Sequence, residues 1–155
     1  MIYHLLLGSN LDDPAGRIAE AIQRLVAIPE INILRQSSLV QTKAYGKIDQ
    51  PDFWNQILEI ECGLSPERLL DILLETEAGM GRIRTEKWGP RRIDIDILLA
   101  EDYSCQTDNL TIPHYDMHNR EFALRLLCEL IPDWVHPILN KTTRELLRSL
   151  PGGNT

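Results

Sequence analysis

The chain predicts an α+β fold. Its core is a ferredoxin-like β-α-β-β-α-β unit, an antiparallel sheet with helices packed on it, followed by a small hairpin and two C-terminal helices. Three observations carry this. Residues 2–7, 31–41, 53–62 and 92–99 are apolar or alternating runs of strand length. Two runs with helical spacing separate the first strand from the second and the third from the fourth. Each helical run opens on a capping residue followed by proline, Asp13-Pro14 and Ser65-Pro66.

Residues 2–7 (Ile-Tyr-His-Leu-Leu-Leu) are expected to form a buried strand in which His4 has no chemical role. Gly8-Ser9-Asn10 should turn the chain. Ile18, Ile22 and Leu25 then recur at helical spacing until Pro29. The second strand, 31–41, opens Ile31-Asn32-Ile33. Residues 42–52 lack periodicity, and an irregular stretch of that length is often functional. On the third strand Phe53, Asn55 and Ile57 share one face, and Trp54, Leu58, Ile60 and Cys62 the other. Leu69, Leu70, Leu73 and Leu74 give the second helix its stripe, Gly79 ends it, and Glu77 is expected at its rim. Within 101–112 a hairpin turns around Asp108-Asn109. A helix bearing Phe122, Leu126, Leu127 and Leu130 follows, and Trp134 and Val135 are expected to pack back on the core. Thr142 and Glu145 form a capping box for a last helix with Leu146, Leu147 and Leu150. Residues 1–150 read as one domain and 151–155 as a disordered tail.

Composition narrows the function. The 155 residues carry a net charge of −7, which argues against general nucleic-acid binding. No apolar run reaches the ~18 residues of a membrane span, and the N-terminus lacks the basic region of a signal peptide. Cys62, Cys105 and Cys128 have no Cys-x-x-Cys spacing, which points to a reducing, cytoplasmic setting rather than to zinc or a disulfide framework. Neither Gly-x-x-x-x-Gly-Lys-Ser/Thr nor Gly-x-Gly-x-x-Gly occurs, so the commonest nucleotide-binding loops are absent.

One stretch stands out against that acidic background. Residues 82–92 hold Arg82, Arg84, Lys87, Arg91 and Arg92, opposed only by Glu86, and run through Gly89-Pro90 into Ile93-Asp94-Ile95-Asp96-Ile97-Leu98-Leu99. Strict alternation puts Asp94, Asp96 and Leu98 on one strand face, with Ile93, Ile95, Ile97 and Leu99 on the other. Two carboxylates about 7 Å apart at their Cα atoms can converge on one hard cation or a pair of them. Arginine forks clamp phosphate oxygens. The combination reads as a site for Mg²⁺ and a polyphosphate. Phe53 beside Asn55 can seat a flat heterocycle by stacking and edge hydrogen bonds. His114, Tyr115 and Arg120 are phosphate-competent donors just before a helix.

The run Lys87 to Leu98 resembles the signature of the 6-hydroxymethyl-7,8-dihydropterin pyrophosphokinase family. Leu7-Gly8-Ser9-Asn10-Leu11, Arg82-Ile83-Arg84, Pro113-His114, Asn119-Arg120-Glu121-Phe122 and Trp134-Val135-His136-Pro137 extend the likeness over nearly the whole chain. The resemblance implies transfer of pyrophosphate from MgATP to the pterin hydroxymethyl group, with AMP leaving, in folate biosynthesis. By the same similarity Asp94 and Asp96 hold two Mg²⁺ ions, and together with Arg82 and Arg91 form the catalytic set. Glu77, Arg82, Arg84, Trp88, Arg91, Ile97, Thr111, His114 and Tyr115 would bind ATP. Thr42, Lys43, Tyr45, Phe53, Asn55, Trp88, Asp94, Arg120 and Phe122 would bind the pterin, Phe53 and Phe122 sandwiching it. A monomer without nucleic-acid or membrane partners is expected. Lys43, Asp12 and Tyr115-Asp116 depart from commoner family residues, and none touches the carboxylate pair. Two other readings are a nucleotide sensor that binds ATP without consuming it, and a Mg²⁺-dependent phosphotransferase acting on another flat alcohol.

Overall fold

The computed structural model of the chain describes residues 1–10, 13–43, 52–81 and 93–151. The elements run β1 (Ile2–Ser9), α1 (Pro14–Val26), β2 (Ile31–Gln36), β3 (Val40–Thr42), β4 (Phe53–Cys62), α2 (Pro66–Gly79), β5 (Asp94–Ala100), β6 (Cys105–Gln106), β7 (Thr111–Ile112), a 3₁₀ turn (Met117–Asn119), α3 (Glu121–Leu130) and α4 (Thr143–Arg148). The sheet order is β2-β4-β1-β5, every pairing antiparallel, which is the expected ferredoxin-like arrangement. β6 and β7 form the expected hairpin.

Local chemistry sets the helix starts. The Asp13 and Ser65 side chains accept from Gly16 N and Arg68 N, each with proline in the first turn. Thr142 and Glu145 make the capping box of α4.

The sheet is covered on both faces. Tyr3, Leu5, Leu7, Leu58, Ile60 and Ile95 pack under α1 and α2. Leu6, Ile57, Leu98 and Leu99 pack under α3 and α4. Leu99 therefore lies opposite to its expected face. The β1–β5 register slips between His4 and Leu5, leaving Leu98 unpaired, and a bulge of one residue reverses the side-chain alternation beyond it.

Four other expectations are corrected. The 31–41 strand breaks at Ser37, whose hydroxyl accepts from Ile57 N at 2.8 Å in place of a ladder carbonyl. β1 runs on through Gly8 to Ser9, because Trp54 and Asn55 on β4 continue the pairing. Glu77 is buried rather than at the rim. Val135 is 51% exposed: its backbone bridges to Thr142 while only Trp134 packs on the core.

A polar row crosses the sheet at the end where α3 terminates. His4 Nε2 and Glu59 Oε2 are 2.9 Å apart, and Arg35 donates to both Glu59 oxygens at 2.8 and 2.7 Å and to the Leu130 carbonyl at 2.9 Å. His4, Glu59 and Glu101 have donor atoms within 4.8 Å of one another. The Arg35 fork already takes both Glu59 oxygens, so this row is a structural tie.

The row and two other imidazoles, His136 buried and His114 half-buried, make the fold acid-sensitive. Burial holds His4, His114 and His136 below the usual histidine range. Unfolded, each titrates at about 6.5, so at lower pH the unfolded chain binds protons that the folded chain excludes. Glu59 acts in the same direction further down. Hydrogen bonds from Arg35, then from His4, hold its carboxyl low, and that stabilisation is lost as pH falls through the folded value. The urea midpoint should therefore be steady above neutrality and drop as pH falls from 7 to 5. The slope should reach up to about 1.4 kcal/mol per pH unit for each histidine kept neutral. A midpoint unchanged over that interval would contradict the assignment.

Candidate active site

α3 covers only part of its sheet face. The remainder, at the other end of β1, β4 and β5, is the floor of a cleft of about 960 Å³. The strand register sets that floor. Asn55, Gly8 and Asp94 are Cα partners across β4, β1 and β5, and Ile57, Leu6 and Asp96 form the next row on the same face. At about 4.8 Å per strand, Asn55 and Asp94 stand roughly 10 Å apart with Gly8 between them.

Gly8 is required by this packing. A Cβ there would lie 2.8 Å from Asn55 Oδ1. Asn55, itself buried, donates through Nδ2 to Thr42 Oγ1 at 3.0 Å. One side of its amide is thus tied to β3, and Phe53 lies two residues away on the same strand face.

Asp94 and Asp96 are half-buried on the cleft face. β5 is the sheet edge, and its free side is fastened by Glu77, which accepts from Ile95 N at 2.7 Å. This explains why a carboxylate at position 77 is buried: it takes the edge N–H of the residue between the two aspartates, a charge-assisted bond in a dry setting. The cleft wraps round this edge past Ile97 to Leu70 and Leu74 on α2, and to Thr107–Thr111 on the hairpin.

The opposite wall is the segment after β7. His114 N donates to the Leu98 carbonyl at 2.7 Å, which anchors the segment to β5. His114 Nδ1 accepts from Asp116 N at 3.1 Å, so in the neutral ring Nε2 carries the proton. Burial, then the neighbouring Arg120 cation, keeps that ring below the usual histidine range, although Asp116 opposes them. The Tyr115 ring stacks on it at 4.7 Å and is 74% exposed.

Every candidate residue in the described segments lines this one cleft: Thr42, Lys43, Phe53, Asn55, Glu77, Asp94, Asp96, Ile97, Thr111, His114, Tyr115, Arg120 and Phe122. Tyr45, Arg82, Arg84, Trp88 and Arg91 lie outside the described residues. Sequence reasoning did not select Leu6, Gly8, Leu70, Leu74, Thr107–Leu110, Asp116 or Asn119 as site residues. Leu70 and Leu74 could have been found, since two leucines on the outer side of a helix stripe leave apolar surface for something to cover.

The donor set fits Mg²⁺. Two carboxylates on one strand face are too few to enclose a metal, which leaves places for waters and phosphate oxygens, as Mg²⁺ prefers.

A family model described as 7,8-dihydro-6-hydroxymethylpterin-pyrophosphokinase matches residues 4–132. The 2-amino-4-hydroxy-6-hydroxymethyldihydropteridine pyrophosphokinase of Haemophilus influenzae is 42% identical over 134 residues, covering 86% of this chain and 84% of that one. The enzyme of the same name from Methylorubrum extorquens is 40% identical over 151 residues, covering 97% and 94%. Among solved structures, Plasmodium falciparum HPPK-DHPS with pteroate superposes with a TM-score of 0.74 at 20% identity, which speaks for the fold alone. The match covers 94% of this chain and 41% of that one.

Proposed function

Because this chain belongs to the 7,8-dihydro-6-hydroxymethylpterin-pyrophosphokinase family, we propose that its cleft binds MgATP and 6-hydroxymethyl-7,8-dihydropterin side by side. The enzyme transfers pyrophosphate from ATP to the pterin hydroxymethyl group, giving the pterin diphosphate and AMP, in folate biosynthesis. The observation that carries the reading is the strand register. It sets a buried amide with a hydrogen-bonding edge and a carboxylate pair on one floor, with a single glycine between them.

Phe53 and Phe122 sandwich the pterin, Asn55 reads its edge, and Thr42, Lys43, Tyr45 and Trp88 complete that half of the site. Asp94 and Asp96 would hold two Mg²⁺ ions, whose charge would offset that of the triphosphate and the transferring group. Asp94 faces both substrates. His114, as a neutral imidazole, donates Nε2–H to a phosphate oxygen, and Tyr115, Arg82, Arg84 and Arg91 supply further donors. Glu77, Ile97 and Thr111 bound the nucleotide end. The hydroxymethyl oxygen attacks the β-phosphorus in line and AMP departs. The chain's part is positioning and electrostatics, and no covalent nucleophile is needed. Residues 1–150 work as one monomeric catalytic unit in the cytoplasm, without nucleic acid or membrane. Among the described residues no helix is long and apolar enough to cross a membrane.

Product analysis tests the reading. With both substrates and Mg²⁺, AMP should appear in step with pterin diphosphate, and neither should form when one substrate is omitted. ATP bound but intact under all conditions would overturn it in favour of a sensor. ADP as product would indicate a different phosphotransferase. Phe53→Ala should weaken pterin binding about tenfold, the scale of a lost aromatic stack, and ATP binding much less. Equal losses for the two ligands in calorimetry would remove Phe53 from the pterin half.

A further inference from the structure

Asp116 lies in the cleft wall, and three contacts run through it. Its backbone N–H donates to His114 Nδ1 at 3.1 Å. Its Oδ1 accepts from Asn119 Nδ2 at 3.0 Å, across the 3₁₀ turn. Its Oδ2 faces Arg120 Nε at 3.6 Å. All four residues line the cleft. Arg120 opens α3 without any side-chain cap, and its side chain is 30% exposed. Among the described residues, its terminal nitrogens make no hydrogen bond. A guanidinium held at Nε keeps its end-on fork free, the geometry that grips phosphate or a pair of acceptors.

We propose that Asp116 is a positioning residue for the transfer reaction: its carboxylate, braced by Asn119, holds the Arg120 guanidinium by Nε so that the free fork faces the reacting phosphates. This rests on the pyrophosphoryl-transfer reading of the cleft. A carboxylate beside a polyphosphate would otherwise only repel it, so its presence in the wall needs a cation to direct. Asn119 fixes the carboxylate from the other side, so the Asp116 side chain is oriented before substrate arrives. The ion pair is long and half-exposed, so by itself it adds little to stability.

The backbone bond from Asp116 to His114 survives any side-chain change, so Asp116→Asn isolates the carboxylate. The test is a double-mutant cycle on AMP formation with Asp116→Asn, Arg120→Ala and the pair, together with Asp116→Glu and thermal melts. The expected result has four parts. Asp116→Asn lowers kcat about tenfold with KM for ATP little changed. Asp116→Glu recovers much of that loss. In the Arg120→Ala background Asp116→Asn has no further effect. Melting temperatures stay together. Independent effects that multiply in the pair would overturn the proposal, as would a wild-type kcat for Asp116→Asn. A kcat loss that tracks a falling melting temperature would also overturn it, as a structural role. Failure of the wild-type protein to form AMP sinks the pyrophosphoryl-transfer reading instead, so the two failures are distinguishable.

Discussion

Asp94→Ala or Asp96→Ala is expected to lower AMP formation by about a thousandfold or more, with the fold retained. Each aspartate lies on the cleft face of the edge strand, whose backbone is fastened by Glu77 at Ile95 N. Removing a carboxylate withdraws a hard oxygen donor and a unit of negative charge from the pair on β5. Chemistry that relies on charge neutralisation at phosphorus loses several kcal/mol of transition-state stabilisation with its cation. Stability should scarcely move, because both side chains are half-exposed and truncation there leaves no cavity. The Asp→Asn variants should retain partial activity at raised Mg²⁺, since the amide oxygen remains a weak ligand. The measurement is single-turnover AMP release against Mg²⁺ concentration, alongside circular-dichroism melts. Turnover by the Asp94→Ala/Asp96→Ala double variant at anything near the wild-type rate would sink the metal assignment.

Gly8→Ala should cost pterin binding between ten- and a hundredfold while leaving nucleotide binding nearly intact. The added methyl group meets Asn55 Oδ1 at 2.8 Å, closer than carbon and oxygen approach without repulsion. The amide is the movable partner, so it rotates away and gives up the 3.0 Å bond to Thr42 Oγ1. A displaced, buried amide is left unpaired, and the pterin edge loses its partner. The cost is on the order of 1–3 kcal/mol, which converts to that range of affinity. Calorimetry with the pterin and with a non-hydrolysable ATP analogue separates the two halves of the cleft. Unchanged pterin affinity in Gly8→Ala would show that Asn55 does not read the ring.

How much of this was legible in the sequence depends on the range of the forces involved. Alternation and helical spacing record which face is buried, and caps such as Asp13-Pro14 and Ser65-Pro66 act within a few residues, so the β-α-β-β-α-β order could be read directly. The same locality exposed the Asp94/Asp96 pair, because residues two apart on a strand share a face in any tertiary setting. His114 and Arg120 stood out locally as phosphate-competent donors before a helix, whereas Thr111, and the link of all three to β5, came from motif resemblance.

The tertiary structure decided what depends on partners distant in the chain. Leu99 changed face because β1 and β5 pair through a bulge, a property of two strands more than 85 residues apart in sequence. Glu77 is buried because an edge strand exposes an N–H that a carboxylate on a neighbouring helix can take. Gly8 reads as a turn residue by itself, yet it is paired within β1, between Asn55 and Asp94 in the register. His4 looks inert in its apolar run, and only the sheet order brings Glu59 and Arg35 beside it. The sequence by itself thus determined the elements, their caps, the carboxylate pair and the family. The packing of strands far apart in the chain decided the cleft's floor, and the packing of α2 against β5 its fastened edge, because register and burial are properties of pairs rather than of single residues.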